Sequence, residues 1–197
     1  MGRGLTRTNE ETHLIAPNAP GRYGRLTVAL HWLMLILIVA TYAMMDLNGL
    51  TQRGSPGRAT MEMWHYMLGL SVFLFVWVRL LARLAGAEPP IEPPPPLWQD
   101  VLARLTHTAL YLFMIAMPVL GWLTLSARAA PVPFFGLELP QLIAKNASDA
   151  KSLKYIHETI ALLGYYLIGL HAAAALFHHY LVRDNTLRRM WFARRAG

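Results

Sequence analysis

The residues best placed to do chemistry in this 197-residue chain are four histidines in an almost uncharged run, HETIALLGYYLIGLHAAAALFHHY, residues 157–180. His157, His171 and His178 are spaced by fourteen and then seven residues. With Gly164 they fall along one slowly drifting stripe of an α-helix. At about 1.5 Å rise per residue, His157 and His171 stand about 21 Å apart on that face. That distance is too large for one metal ion and suits two separate, stacked cofactors. An imidazole on an apolar helix in lipid must point inward and find a partner. Haem iron is such a partner, and the porphyrin fills the core of a bundle. Histidines packed in a polar patch between helices are the plainer alternative. Matching histidines elsewhere, His31 and His65, favour haem.

These side chains need helices to carry them, and the composition supplies membrane spans. The chain is 55% hydrophobic and only 15% charged, whereas about a quarter of a soluble domain is charged. Its apolar residues gather into four long blocks, at about 26–45, 61–84, 101–125 and 153–182, each meeting the requirement of about 20 residues for a span. The expected fold class is all-α: an integral membrane four-helix bundle over residues 23–189. Residues 1–22 read as a disordered arm and 190–197 as a basic tail. The first apolar run begins late and exceeds a signal-peptide core, and no small-residue cleavage site follows it, so it is expected to stay in the mature chain. PPIEPPPP at 89–96 reads as a stiff spacer between the second and third spans. Pro118 and Gly121 are expected to kink the third. PVPFFGLELP, within the longest loop, is expected to form a short element at the membrane interface. With no cysteine, disulfides, iron–sulfur clusters and thiol zinc sites are excluded. A net charge of +7 would point to nucleic acid in a soluble protein. Here the basic residues flank spans, and topology accounts for them.

Twelve lysines and arginines lie on the side of the arm, the second loop and the tail, and six on the other. The bias predicts cytoplasmic N- and C-termini and a bacterial inner membrane as the setting. Depth then pairs the histidines. His65 and His157 each lie about one turn inside the outer face. His31 and His171 lie about 22 and 25 Å from the outer edge. An outer haem between His65 and His157 and an inner haem between His31 and His171 follow, the fourth helix serving both. Imidazole on both sides of iron leaves no open position, which suits electron transfer. Gly164 leaves room for a porphyrin edge; Gly69 could do the same or serve a tight helix contact. Met44, Met63 and Met114 read as core or lipid-facing residues. His178 and His107 fall near the inner level without being needed as ligands. Histidine titrates near neutral pH, which suits protonation of a reduced quinone. His179 points elsewhere on the helix and is assigned no role.

HWL at 31–33, KSLKYIHET at 151–159, and GLHAAAALFHHY with RDNTL at 169–187 resemble the bacterial cytochrome b-561 family. The likeness runs from about Arg22 to Arg189 and is most specific in the fourth helix. The resemblance implies a four-helix respiratory membrane protein with two b-type haems, ligated by His31, His65, His157 and His171. It is closest to the superoxide oxidase branch, which implies oxidation of superoxide at the periplasmic face and reduction of ubiquinone near His178. In that reading Lys151 and Lys154 form a cationic rim at the mouth of the outer haem, where they attract a small anion. As ordinary lysines in a solvated helix start they would do nothing more.

Three functions compete. The first is an enzyme passing electrons from superoxide to ubiquinone. The second is a cytochrome b subunit taking electrons from a periplasmic dehydrogenase, hydrogenase or carrier; outer loops of about 15 and 27 residues offer it little docking surface. The third is a haem-free transporter, disfavoured by the lack of acidic residues inside the spans.

Overall fold

A computed structural model describes residues 21–192. Nearly all of the expected disordered arm, and the tail beyond Phe192, lie outside the described residues. Four long helices carry the chain: α1 (Arg25–Gly49), α2 (Pro56–Ala85), α3 (Leu97–Ala127) and α4 (Ala147–Phe177). Each is long and apolar enough to cross a membrane. A π-helical turn (His178–Val182) extends α4, and a short helix α5 (Thr186–Arg189) follows. Between α3 and α4, β1 (Pro133–Phe134) and β2 (Leu137–Glu138) pair antiparallel in a hairpin. Its central residues, Phe135 and Gly136, both have positive φ, as the twist of a two-residue hairpin turn demands.

α2 and α4 begin earlier than hydropathy alone indicates, because polar caps start them. Ser55 accepts a hydrogen bond from the Arg58 amide, with Pro56 at the first helical position. The Asn146 side chain accepts from the Ser148 and Asp149 amides. Both are strong N-terminal signals. His65 and His157 therefore lie nine and ten residues along their helices, two turns or more from the helix starts. Pro118 sits inside α3 without ending it.

α1 packs along α2, α3 along α4, and α2 against α3. α4 meets α1 and α2 through side chains and not by close backbone approach. The Tyr42 hydroxyl donates to the Ala161 carbonyl at 2.7 Å, and Tyr165 donates to Asp46 at 3.0 Å. A small core of Met34, Val72, Val76 and Met114 joins α1, α2 and α3 at mid-height. Outward, Ile36, Leu81, Leu105, Leu163 and many other large apolar side chains are exposed, as lipid contact requires.

The two ends are closed differently. At the hairpin face, Val132 is fully buried against Leu70 and Leu125. Trp122 donates to the Pro140 carbonyl at 2.9 Å and the Asn146 amide to the Ala127 carbonyl at 2.9 Å. At the terminal face, the C-terminal segment crosses the bundle. The Tyr23 amide donates to the Arg189 carbonyl at 3.2 Å, Trp32 to the Met190 carbonyl at 3.0 Å, and the Asn185 amide to the Glu92 carbonyl at 3.2 Å. Arg189 also donates to the Pro89 carbonyl.

Candidate functional site

Two histidine pairs span the separation between α4 and its neighbours. His65 on α2 faces His157 on α4, with ring centroids 6.2 Å apart and ring planes at 74°. His31 on α1 faces His171 on α4, also at 6.2 Å and at 70°. The first pair lies toward the hairpin face and the second toward the terminal face. All four rings are half-buried.

The common spacing has a chemical reading. Two metal–imidazole bonds of about 2.0 Å, each continued about 1.1 Å to the ring centre, place centroids about 6.2 Å apart. Each pair thus has the separation of two axial ligands on one iron. His107 on α3 lies 5.4 Å from His171, too close for an iron between them. It is a neighbour of the terminal-side pair and not an alternative to His31. Among the described residues no group of three or more histidines and carboxylates could hold a metal ion together.

Ring orientation is set from behind. His65 Nδ1 lies 3.0 Å from the Thr41 carbonyl. A carbonyl only accepts, so Nδ1 carries the proton and Nε2 keeps the lone pair that a metal needs. His157 packs on Gly121 of α3, where an added Cβ would stand 3.4 Å from its Cε1. Trp32 stacks edge-on against His31 at 5.5 Å.

Gly164 is used otherwise than as room for a porphyrin edge. A Cβ there would strike the Tyr42 hydroxyl and the Phe113 ring, so its smallness serves the contact of α1 and α3 with α4. Space around Gly69 is open. Met114 is core, Met63 is exposed and Met44 is half-buried, as expected of residues that do not ligate.

The remaining candidates fall in three places. His107 adjoins the terminal-side pair. His178 lies at the start of the π-turn, its Nδ1 2.5 Å from Asp184 Oδ2. Asp184 also accepts from the Thr186 amide at 2.8 Å. Burial pushes its carboxyl up, but the bonds from Thr186 and His178 outweigh this and hold it below the ordinary carboxylate range. Lys151 and Lys154 are exposed in the first turns of α4, and Lys154 is paired with Glu158 at 3.0 Å. The two carboxylates, Asp184 and Glu158, escaped the sequence reading. The Lys154–Glu158 pair was legible as an i,i+4 spacing; the meeting of Asp184 with His178 depends on the left-handed turn at Arg183 (φ 63°). Arg79 and Tyr111, also missed as site residues, lie beside the terminal-side pair. An arginine inside a span was itself a signal, because its desolvation is expensive.

The family model described as prokaryotic cytochrome b561 matches residues 22–193. "Cytochrome b561 homolog 1" of Escherichia coli K12 is 38% identical over 169 residues, which are 86% of this chain and 96% of that protein. A protein of Yersinia pestis named "probable superoxide oxidase CybB" is 36% identical over 86% of this chain and 95% of its own. "Cytochrome b561 homolog 2" of E. coli K12 is 29% identical over 88% and 93%.

Proposed function

The chain belongs to the prokaryotic cytochrome b561 family, a family of membrane electron-transfer proteins with b-type haem, and from that premise we propose that it is a dihaem superoxide:ubiquinone oxidoreductase of the bacterial inner membrane. The observation that supports this best is the equal 6.2 Å spacing of two histidine pairs at two levels of α4. In this reading His65 and His157 hold one haem, His31 and His171 the other, and both termini are cytoplasmic. Held between each pair, haem would supply a one-electron relay.

The chain's own residues do the rest. Thr41 holds the His65 ring in the ligating tautomer. Lys151 and Lys154, on the hairpin side, raise the local concentration of an anionic donor. Two superoxide anions each lose one electron and leave as oxygen. The two electrons, with two protons taken up at the terminal face, convert ubiquinone to ubiquinol. His178, hydrogen-bonded to Asp184, is the group that holds a proton there, and His107 lines the inner wall beside His171. The name of the Yersinia relative supports the choice of superoxide.

One observation favours a second reading. The Lys154–Glu158 pair reduces the net positive charge at the hairpin-side mouth. This suits a cytochrome b subunit fed by a periplasmic dehydrogenase, hydrogenase or carrier through complementary contacts of both signs.

A reduced-minus-oxidised spectrum with haem quantified per chain, followed by challenge with superoxide and a soluble quinone, tests both. Two b haems reduced rapidly by superoxide and reoxidised by quinone are expected. Two haems that superoxide fails to reduce would select the second reading, and a colourless protein would sink both.

A further inference from the structure

Arg79 is a half-buried cation of α2 that pairs with no carboxylate among the described residues. The groups that act on it electrostatically are Tyr111, Arg83 and Tyr23. Four other cations of the helices have a carboxylate: Arg58 with Glu62, Arg83 with Glu88, Arg104 with Asp100 and Lys154 with Glu158. Arg79 Nη1 is enclosed, as is the Tyr111 hydroxyl beside it, and beyond each other neither meets a hydrogen-bond partner among the described residues. A guanidinium in a span is retained only where something anionic or strongly polar satisfies it. Its planar fork matches a carboxylate better than any other anion of that size.

Position identifies the carboxylate. On α2 Arg79 lies fourteen residues beyond His65, as His171 lies beyond His157 on α4, which puts Arg79 at the level of the terminal-side pair. The hairpin-side pair has the opposite surroundings: Glu62 acts on His65 and Glu158 on His157. Haem carries two propionate carboxylates at its edge, and a haem held by His31 and His171 would present them at the level of Arg79 and Tyr111.

We propose that Arg79, with the Tyr111 hydroxyl, binds a propionate carboxylate of the haem between His31 and His171, and that its charge keeps this haem more easily reduced than the one between His65 and His157. The inference rests on the dihaem reading. A cation near the iron favours the ferrous state, which carries one positive charge fewer, and neighbouring carboxylates oppose it. Electrons entering at the hairpin side then move downhill toward the terminal side. Arg79 is a positioning residue.

The test is a redox titration of the purified full-length protein in zwitterionic phosphatidylcholine nanodiscs, following each haem by absorbance. His65→Ala assigns the two midpoints. Arg79→Gln should lower the midpoint of the His31/His171 haem by about tenfold in its one-electron equilibrium constant, about 59 mV, and leave the other unmoved. Arg79→Lys should recover most of that shift. Tyr111→Phe, which keeps the charge and the fold, should shift the same midpoint in the same direction by less. Unchanged midpoints, or equal shifts in both, overturn the proposal. So does a shift that appears only when anionic lipid is added, because the anion is then a headgroup phosphate. Wild-type protein without two haems would instead overturn the dihaem reading itself.

Discussion

The hairpin-side and terminal-side histidine pairs have one spacing and two kinds of support. The hairpin-side pair is backed by one backbone carbonyl, at Thr41, and one small residue, Gly121, in surroundings that lean acidic. The terminal-side pair is a cluster of three imidazoles beside an unmatched arginine. The contrast continues to the two faces. The hairpin face is closed by residues near in sequence, Trp122 to Asn146. The terminal face is closed by three remote segments, around Tyr23, Pro89–Glu92 and Asp184–Met190. The two levels thus share their ring spacing and differ in surrounding charge and in how their faces are closed.

The largest effect expected from breaking this comparison comes from the ligands. His65→Ala should abolish the hairpin-side haem, because among the described residues no other imidazole stacks near His157. His31→Ala should leave part of the terminal-side haem, because the His107 side chain, 5.4 Å from His171, can draw back to the spacing of the lost pair. Haem per chain measures both. Equal losses would mean that His107 plays no part in the terminal cluster.

Gly164→Leu follows in size. It would drive a side chain into Tyr42 and Phe113 midway between the two levels. Overpacking of this kind costs about 1–3 kcal/mol, so thermal stability should fall and both haems loosen together. A loss confined to one level would show that the two pairs are not coupled through α4.

Asp184→Asn probes the terminal closure. Hydrogen bonds to a charged group contribute about 1.5–3 kcal/mol. Amides from Thr186 to Met190 should exchange faster while those at Val132 and Leu139 keep their protection. The folded Asp184 carboxyl titrates below its unfolded value, so it stabilises the closure above the ordinary carboxylate range. That stability is lost as pH falls through the lowered value. The difference in exchange between wild type and variant should accordingly be full at neutral pH and vanish in acid.

The smallest effects are at the mouth of the hairpin side. Glu158→Gln frees Lys154 from its pair and should speed reduction by an anionic donor several-fold at low salt, with little change at high salt. Lys151→Gln should slow it by a similar factor. An opposite sign for Glu158→Gln would favour a donor protein that docks on this carboxylate.

Much of the architecture was legible beforehand for definite reasons. An apolar run of helix length in a chain with few charges has one physical solution, a span whose backbone is satisfied internally. Histidines fourteen residues apart on that span share a face whatever packs against it. His31, His65, His157 and His171 needed only approximate depth to be matched. The starts of α2 and α4 were missed because hydropathy ends before the helix does; the Ser55 and Asn146 caps carried that information. Lys154–Glu158 was also legible, as opposite charges one helical turn apart.

By itself, then, the sequence determined the spans, the helical period and which histidines share a stripe, because these depend on residue type and local geometry. Only the tertiary structure decided that His107 adjoins His171 without replacing His31, that Gly164 makes room for Tyr42 and Phe113, that Asp184 meets His178, and that Arg79 lacks an acidic partner. Those facts depend on the rotation of each helix about its axis and on where a chain reversal delivers remote residues. Such rotations are set by side chains on neighbouring helices together, so no single stretch of sequence encodes them.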